Sequence, residues 1–321
     1  MHVLLTGGSG FIAAHILDFL LSRGHTVVTT VRSQQKIDAI KAAHPNAHPS
    51  QLEFYIVEDI AKDNAFDECI KAVGPGLDAV LHTASPFHFN VTDTKKDLLD
   101  PAIKGTTSIL YAIKKYGPSV KWVVVTSSFA AIVNPFKGNW PEHTYSEADW
   151  NPITLEDAAQ NPSNGYRASK TFAEKAAWDF IERERPNFTM TTINPPLVLG
   201  PIVHYLNSLD ALKPSNQRIR NLLQGRCKRR APRHGNLPLG RRARSGARPC
   251  PSHRGARRGA HKRFFVTAGY FSNREIADEI IRKNFPEYEK GAAGEGCEGG
   301  WLPGRAVFTS LIIRGRWISC A

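Results

Sequence analysis

Residues 2–22 read HVLLTGGSGFIAAHILDFLLS, and this stretch decides the fold. A run of strand-forming residues leads directly into closely spaced glycines, and an apolar pattern with a helical period follows them. Gly7 permits a tight turn, Gly10 lets the backbone approach a pyrophosphate, and Ala13 lets the helix lie close to the sheet. The first N–H groups of such a helix favour phosphate. The spacing predicts a dinucleotide-binding turn, and the alternative is a glycine turn without a ligand.

The same alternation continues over the first 200 residues. Apolar runs predict strands at 2–6, 26–31, 52–57, 78–82, 121–127 and 190–194, and helical periods predict helices at 11–22, 97–116 and 165–184. Strands that alternate with helices form βαβ units around a parallel sheet, and right-handed crossovers make such a sheet doubly wound. The predicted fold class is therefore α/β, a Rossmann fold built on a doubly wound parallel sheet.

The net charge of +13 is confined to one part of the 321-residue chain. Residues 211–274 hold 18 Lys or Arg and no Asp or Glu, so the remainder has 24 basic and 29 acidic residues, a net of −5. Segment 226–260 is rich in Arg, Gly and Pro and poor in large apolar residues, which predicts that it cannot complete a packed lobe. Compensating frame slips in the gene model are the favoured interpretation over a genuine basic insertion.

A nucleic-acid-binding arm is the rival interpretation of this segment. Eleven arginines between residues 226 and 258 would suit contacts to phosphate. The same stretch lacks aromatic residues for base stacking, and no RNA-binding motif accompanies it. A nucleic-acid partner is therefore disfavoured.

The residues after the second predicted strand favour NADP(H) over NAD. An NAD enzyme usually places an acid here for the ribose 2′-hydroxyl, whereas this chain has Arg32 and, one helical turn later, Lys36. Two cations suit a 2′-phosphate, and a guanidinium can grip its oxygens in bidentate fashion. After the third strand, Asp59 can accept a hydrogen bond from the adenine amino group, although an ordinary surface carboxylate is nearly as good an interpretation.

A tyrosine and a lysine predict the chemistry. Tyr166 and Lys170 are four residues apart and share one face of a predicted helix. A nearby ammonium lowers the pKa of a phenol, so that the tyrosine can act as a general acid towards a carbonyl oxygen. The pair Ser127 and Ser128 follows the fifth strand, at the edge of the sheet where doubly wound folds bind ligands. A serine there can donate to the substrate oxygen.

Together these segments resemble the extended short-chain dehydrogenase/reductase superfamily, and within it the fungal NADPH-dependent methylglyoxal and aldehyde reductases, which are relatives of the dihydroflavonol reductases. The resemblance covers residues 1–224 and 261–288. It rests on LLTGGSGFIAAHI (4–16), VRSQQK (31–36), LHTASPF (81–87), VVVTSSFAAI (123–132), YRASKTFAEKAAW (166–178) and INPPLVLGP (193–201).

The resemblance implies a role for each matching position. The catalytic residues would be Ser128, with Ser127 as the alternative serine, Tyr166 and Lys170. Besides Tyr166 and Lys170, the cofactor contacts would be Gly7, Gly10, Phe11, Ile12, Arg32, Lys36, Asp59, Ile60, Thr83, Ala84, Ser85, Pro195 and Val198. Phe87 and Phe129 resemble residues that line a substrate pocket, and the alternative is that both are core aromatics. No metal is expected. The implied reaction is hydride transfer from NADPH to an aldehyde or ketone.

The predicted organisation has three parts: residues 1–200 form an NADP-binding Rossmann domain with the catalytic residues, 201–290 are the remnant of a substrate lobe, and 291–321 are an atypical, disordered tail. The five cysteines have no pairing or zinc-binding spacing, and the sequence pattern predicts neither a secretory signal nor a membrane span. We therefore expect a cytoplasmic monomer or homodimer with reduced thiols, a small carbonyl substrate and no membrane partner.

Two other functions use the same fold. If the substrate lobe is truly disrupted, the chain would bind NADP(H) but turn over poorly. A sugar-nucleotide epimerase shares the glycine turn and the Tyr-Lys spacing, but such enzymes retain NAD and need an acid where this chain has Arg32.

Overall fold

The protein is described by a computed structural model that covers residues 1–85, 92–138, 140–203, 206, 208–209, 212–224, 261–267, 269–271, 276, 280–288 and 308–312. Phe87, the basic segment 226–260 and most of the tail therefore lie outside the described residues. Of the cysteines, Cys69 is described; it is a buried free thiol, and burial raises its pKa to about 12.

A seven-stranded, wholly parallel sheet forms the centre of the fold, with the order β3-β2-β1-β4-β5-β6-β8. Its strands are β1 (His2–Thr6), β2 (Thr26–Val31), β3 (Leu52–Ile56), β4 (Ala79–His82), β5 (Trp122–Thr126), β6 (Thr189–Asn194) and β8 (Lys262–Phe265). The order reverses beside β1, which is the switch point where doubly wound sheets bind ligands. The predicted Rossmann fold is confirmed.

Helices cover both faces of the sheet. They are α1 (Phe11–Ser22), α2 (Gln34–Ala43), α3 (Asp67–Val73), α4 (Asp100–Tyr116), α5 (Leu155–Gln160), α6 (Pro162–Glu184), α7 (Pro214–Leu223) and the short α8 (Arg282–Asn284). Along β1, Val3 and Leu5 enter one hydrophobic cluster and Leu4 enters the other. Because the inner strands β1 and β2 are buried on both sides, they have the nearly continuous apolar runs seen in the sequence.

Two helices begin elsewhere than predicted, and in each case a proline and its neighbours explain the boundary. The predicted helix 97–116 is a π-helical turn at Lys95–Leu99 followed by α4, whose second residue is Pro101 and has no N–H to continue the earlier ladder. Helix α6 begins earlier than predicted because Asn161 caps it, accepting from the N–H of Asn164 at 2.9 Å, and because Pro162 suits the first helical position.

The C-terminal region contributes to two sheets. Strand β8 comes from the range assigned to the substrate lobe, yet it pairs with β6 as the last strand of the main sheet. A second sheet has the order β7-β10-β9, formed by Leu197–Leu199, Phe308–Ile312 and Gly269–Phe271. Residues 308–312 of the predicted tail form β10 of this sheet, and the three-part organisation of the chain stays a prediction. We keep the division near residue 200 as a proposal, with residues 262–265 added to the sheet.

None of the helices in the described part of the chain combines the length and the apolar character that a bilayer crossing requires.

Leu110 and Leu155 test the packing of the helical layer. Leu110 lies in α4 with its side chain fully buried, whereas Leu155 in α5 is 66% exposed. Leu110→Ala is expected to lower the free energy of unfolding by about 2–5 kcal/mol through lost burial and a residual cavity. Leu155→Ala is the matched control and should change it by less than about 1 kcal/mol. Equal losses in urea denaturation would contradict the described packing of α4.

Candidate active site

The glycine turn after β1 is shaped as a cradle. Gly7 has a positive φ of +71°, and a Cβ there would lie 3.0 Å from the Cα of Ala84. A Cβ on Gly8 would lie 2.1 Å from Oγ1 of Thr29, so the turn also needs glycine at this position. Gly10 is the N-cap of α1 and has no side chain with which to cap the helix. A backbone this closely packed suits a phosphate group at the start of α1.

A buried histidine lies beneath the loop that faces this turn. The hydroxyl of Thr6 accepts from the N–H groups of Thr83 and Ala84, both at 3.1 Å, and lies 2.9 Å from Nδ1 of His82. Because both hydroxyl lone pairs are occupied, its hydrogen points to Nδ1, and the imidazole proton is on Nε2. Burial and the charge of Lys170 lower the pKa of His82 to about 3, so this ring is neutral.

The two cationic side chains predicted to select the cofactor lie near a third cationic side chain, that of Lys213. Arg32 directly follows the last residue of β2 and is exposed. Lys36 lies in α2 and is half-buried. Partial desolvation and the positive charges of Arg32 and Lys36 lower the pKa of Lys213, the N-cap residue of α7. Sequence reasoning missed Lys213, because nothing in its local pattern indicates that the chain returns to β2 there.

The remaining predicted cofactor residues lie at the same edge or close to it. Asp59 is exposed, and its Oδ1 accepts from the N–H of Ala61 at 2.8 Å, so part of the carboxylate already stabilises a turn. Ile60 and Val198 are buried. The carbonyl of Pro195 accepts from the N–H of Phe129 at 2.9 Å, which ties the residues after β6 to those after β5.

The predicted catalytic residues come together. The Ser128 hydroxyl lies close enough to the Tyr166 phenol to lower the pKa of that phenol by hydrogen bonding. Lys170 lies one turn along α6 from Tyr166, with Nζ 5.8 Å from the phenol ring centre, and donates to Oγ of Ser85 at 2.7 Å. Burial lowers the pKa of Lys170 to about 8.

The expected direction of the tyrosine shift is wrong for this structure. Burial raises the pKa of Tyr166, and the hydrogen bond from Ser128 opposes that rise in part. Desolvation penalises the charged phenolate more than the neighbouring groups stabilise it. The phenol therefore keeps its proton at neutral pH, which is the state that a general acid requires.

The two serines have different surroundings. Ser127 is buried and donates to Oε2 of Glu174 at 2.5 Å, whereas Ser128 reaches Tyr166. This geometry favours Ser128 as the serine that meets a substrate. Phe129 is 6% exposed and stacks on Phe265 with ring centres 4.9 Å apart, which favours the core interpretation of that ring.

Sequence reasoning also missed Glu174 and Arg263. Glu174 falls four residues after Lys170 on the same face of α6, and its side chain is fully buried against Arg263 of β8. A glutamate on an otherwise buried helix face could have indicated a buried charge in the sequence. Its partner Arg263, however, is 89 residues away along the chain, so the pair could not be identified.

Known proteins are similar to this chain in sequence and in fold. The model of the NAD dependent epimerase/dehydratase family matches residues 3–232. Ketoreductase azaE of Aspergillus niger is 47% identical over 296 residues, covering 89% of this chain and 82% of that protein.

Two solved structures are similar over most of the chain. Gre2 of Candida albicans in complex with NADPH has a TM-score of 0.75 at 34% identity and covers 89% of this chain and 83% of its own. Yeast methylglyoxal/isovaleraldehyde reductase Gre2 complexed with NADPH has a TM-score of 0.77 at 33% identity, with 97% and 90% covered. With a glycine cradle at the switch point and a matching family model over most of its length, the chain belongs to the NAD dependent epimerase/dehydratase family.

Proposed function

We propose that this protein is an NADPH-dependent carbonyl reductase that converts a small aldehyde or ketone to the alcohol. The observation that carries the proposal is the convergence of Ser128, Tyr166 and Lys170 at the edge of the sheet that the glycine turn also occupies. The similarity to a ketoreductase and to two structures solved with NADPH supports the same class of reaction.

The residues around the turn fit the cofactor. Glycine at position 7 keeps a side chain out of the turn, and α1 begins without a side-chain cap, which together suit a pyrophosphate. Arg32, Lys36 and Lys213 supply positive charge for a 2′-phosphate. Ser85 and Lys170 would hold the nicotinamide ribose. When bound, NADPH supplies the hydride that attacks the carbonyl carbon.

The protein's own groups polarise and protonate the substrate oxygen. Ser128 and Tyr166 donate hydrogen bonds to that oxygen, where negative charge develops as the hydride arrives. Tyr166 then transfers its phenolic proton to the oxygen, and the Lys170 ammonium stabilises the phenolate left behind. The burial that raises the pKa of Tyr166 keeps the proton in place until this step.

The other functions have less support. An epimerase needs an acid at the end of β2, where this chain has Arg32. An NADP(H)-binding protein without turnover would not require the Ser128–Tyr166 pair to be assembled.

We also infer a cytoplasmic monomer or homodimer without a nucleic-acid partner. The buried free thiol of Cys69 supports a reducing compartment.

Tyr166→Phe removes the proton donor while keeping the ring. We expect a loss of kcat of about 10²-fold or more, because no other described side chain occupies the position of the acid. NADPH binding, followed by cofactor fluorescence, should stay within about threefold of the wild type. A variant that retains wild-type turnover would refute the assignment of the acid.

Arg32→Ala tests cofactor selection. Loss of a charge-assisted bond to the 2′-phosphate should raise the KM for NADPH about 10- to 100-fold, and the KM for NADH should stay within about twofold. Glu53→Ala, an exposed substitution on the neighbouring β3, serves as the control. An equal rise for both cofactors would show that Arg32 does not recognise the phosphate.

Lys170→Met tests whether burying the charged Lys170 side chain lowers the free energy of unfolding. Below pH 8 the wild-type lysine is charged in both the folded and the unfolded state, so its burial opposes folding, and the variant should be more stable by about 1–3 kcal/mol at pH 7. Between pH 8 and 10.5 the folded wild type loses this proton while the unfolded chain keeps it, so the wild type regains stability and the difference shrinks.

Urea denaturation at pH 7 and pH 10 measures this difference. Lys175→Met, an exposed position of the same helix, is the control and should change stability by less than about 0.5 kcal/mol at either pH. A Lys170→Met protein less stable than the wild type at pH 7 would contradict the expected cost of burying Lys170.

A further inference from the structure

A fully buried carboxylate lies behind the Ser128–Tyr166 pair. Glu174 is in the middle of α6, two turns after Tyr166, and its side chain is 0% exposed. The groups that donate to its oxygens come from four elements of the fold: Ser127 Oγ at 2.5 Å, Asn194 Nδ2 at 2.7 Å, Arg263 Nε at 2.7 Å, Thr192 Oγ1 at 2.9 Å and Trp178 Nε1 at 3.3 Å. None of these bonds involves a proton that the reduction uses.

Two of these bonds lead directly to the catalytic serine. Ser127, which precedes Ser128, is fixed by its own bond to Glu174. The amide of Asn194 bridges Oε2 of Glu174 at 2.7 Å and the backbone carbonyl of Ser128 at 3.2 Å. The carboxylate therefore holds the backbone of Ser128 from the side chain before it and from its own carbonyl.

Arg263 brings the last strand of the sheet into the same network. Its Nε meets Glu174, and one terminal nitrogen donates to the carbonyls of Glu147 and Asp149, each at 2.7 Å. The guanidinium carbon lies 3.7 Å from the ring centre of Trp150. With its side chain only 8% exposed, Arg263 neutralises the buried charge of Glu174 and is itself held in one orientation.

A buried ion pair such as Glu174 and Arg263 contributes little net stability to the folded state. Removing two charges from water consumes most of their attraction, and an apolar pair of similar size is often as stable. What the pair does provide is a fixed geometry, since each donor around the carboxylate specifies the position of a different element. The elements fixed here are those that carry Ser128 and Tyr166.

We propose that Glu174 is a positioning residue for the reduction, which holds the hydroxyl of Ser128 in hydrogen-bonding distance of Tyr166 and depends on Arg263 of β8 for its charge balance. The proposal rests on the proposed carbonyl reductase activity, because it assigns a purpose to the alignment of those two groups. A small displacement of a catalytic group costs up to about 10²-fold in rate, so this role predicts a kinetic effect larger than the effect on folding.

Glu174→Gln is the primary test. The amide keeps the shape but turns an NH₂ group towards donors and leaves Arg263 without a counter-charge. We expect kcat to fall about 10- to 100-fold, with the KM for NADPH within about twofold of the wild type. The control is Glu184→Gln, which removes a carboxylate paired with Lys114 from the last turn of the same helix and should leave kcat within about twofold.

A double-mutant cycle with Ser128→Ala separates positioning from general destabilisation. If Glu174 acts through Ser128, Glu174→Gln should reduce kcat by less than about threefold in the Ser128→Ala background. Losses that multiply fully in the double variant, or a kcat of Glu174→Gln equal to that of the wild type, would overturn the proposal.

A spectroscopic measurement keeps the test independent of turnover. The NMR shift of Tyr166 Cζ, assigned with Tyr166→Phe, should change in the same direction in Ser128→Ala and Glu174→Gln and stay unchanged in Glu184→Gln. An unchanged Tyr166 signal in Glu174→Gln would overturn the positioning role even if the protein reduces no carbonyl, whereas absent turnover with the expected shifts would count against the proposed function alone.

Asn194→Leu provides a second variant if Glu174→Gln does not fold. It removes the bridge between Glu174 and Ser128 but keeps the charge pair with Arg263. We expect the same Tyr166 shift and the same lack of additivity with Ser128→Ala, and a wild-type signal would contradict the proposal.

Discussion

Parallel strands all end at the same edge of a sheet, and this constraint assembles the site. β1 ends at Thr6, β4 at His82 and β6 at Asn194, and Ser128 follows the end of β5. Once the register of adjacent strands is fixed, strand pairing alone makes neighbours of residues that are more than a hundred positions apart along the chain. The helices then need only to supply one face each, as α6 does with Tyr166, Lys170 and Glu174.

The parts of the site that depend on local patterns could be predicted from the sequence. The glycine turn, the cations after β2 and the Tyr166–Lys170 spacing are short-range features, and they lie where the alternation of strands and helices indicates. Lys213 and Arg263 could not be predicted, because their partners are far away along the chain and no local period indicates them. Whether the pKa of Tyr166 is raised or lowered depends on the burial of its side chain, which a spacing of four residues does not reveal.

The boundaries that prediction missed have equally local causes. Helix α6 begins where Asn161 can cap it, and α4 begins beside Pro101, whereas the apolar period alone marks only the middle of each helix. The resemblance to the superfamily places residues 262–265 in the substrate lobe, and a long segment of different composition separates them from β6. The pairing of β8 with β6 places these residues in the main sheet despite that separation.

The attachment of β8 has a consequence for the order in which the protein is made. Synthesis proceeds from the N-terminus, so the glycine turn, Ser128 and Tyr166 leave the ribosome well before Arg263 does. Until that arginine arrives, Glu174 lacks the cation that it pairs with in the described part of the chain, and β6 lacks its partner strand β8. A nascent or truncated chain that stops before β8 would thus hold every residue of the proposed chemistry and still lack the part that locks them in place.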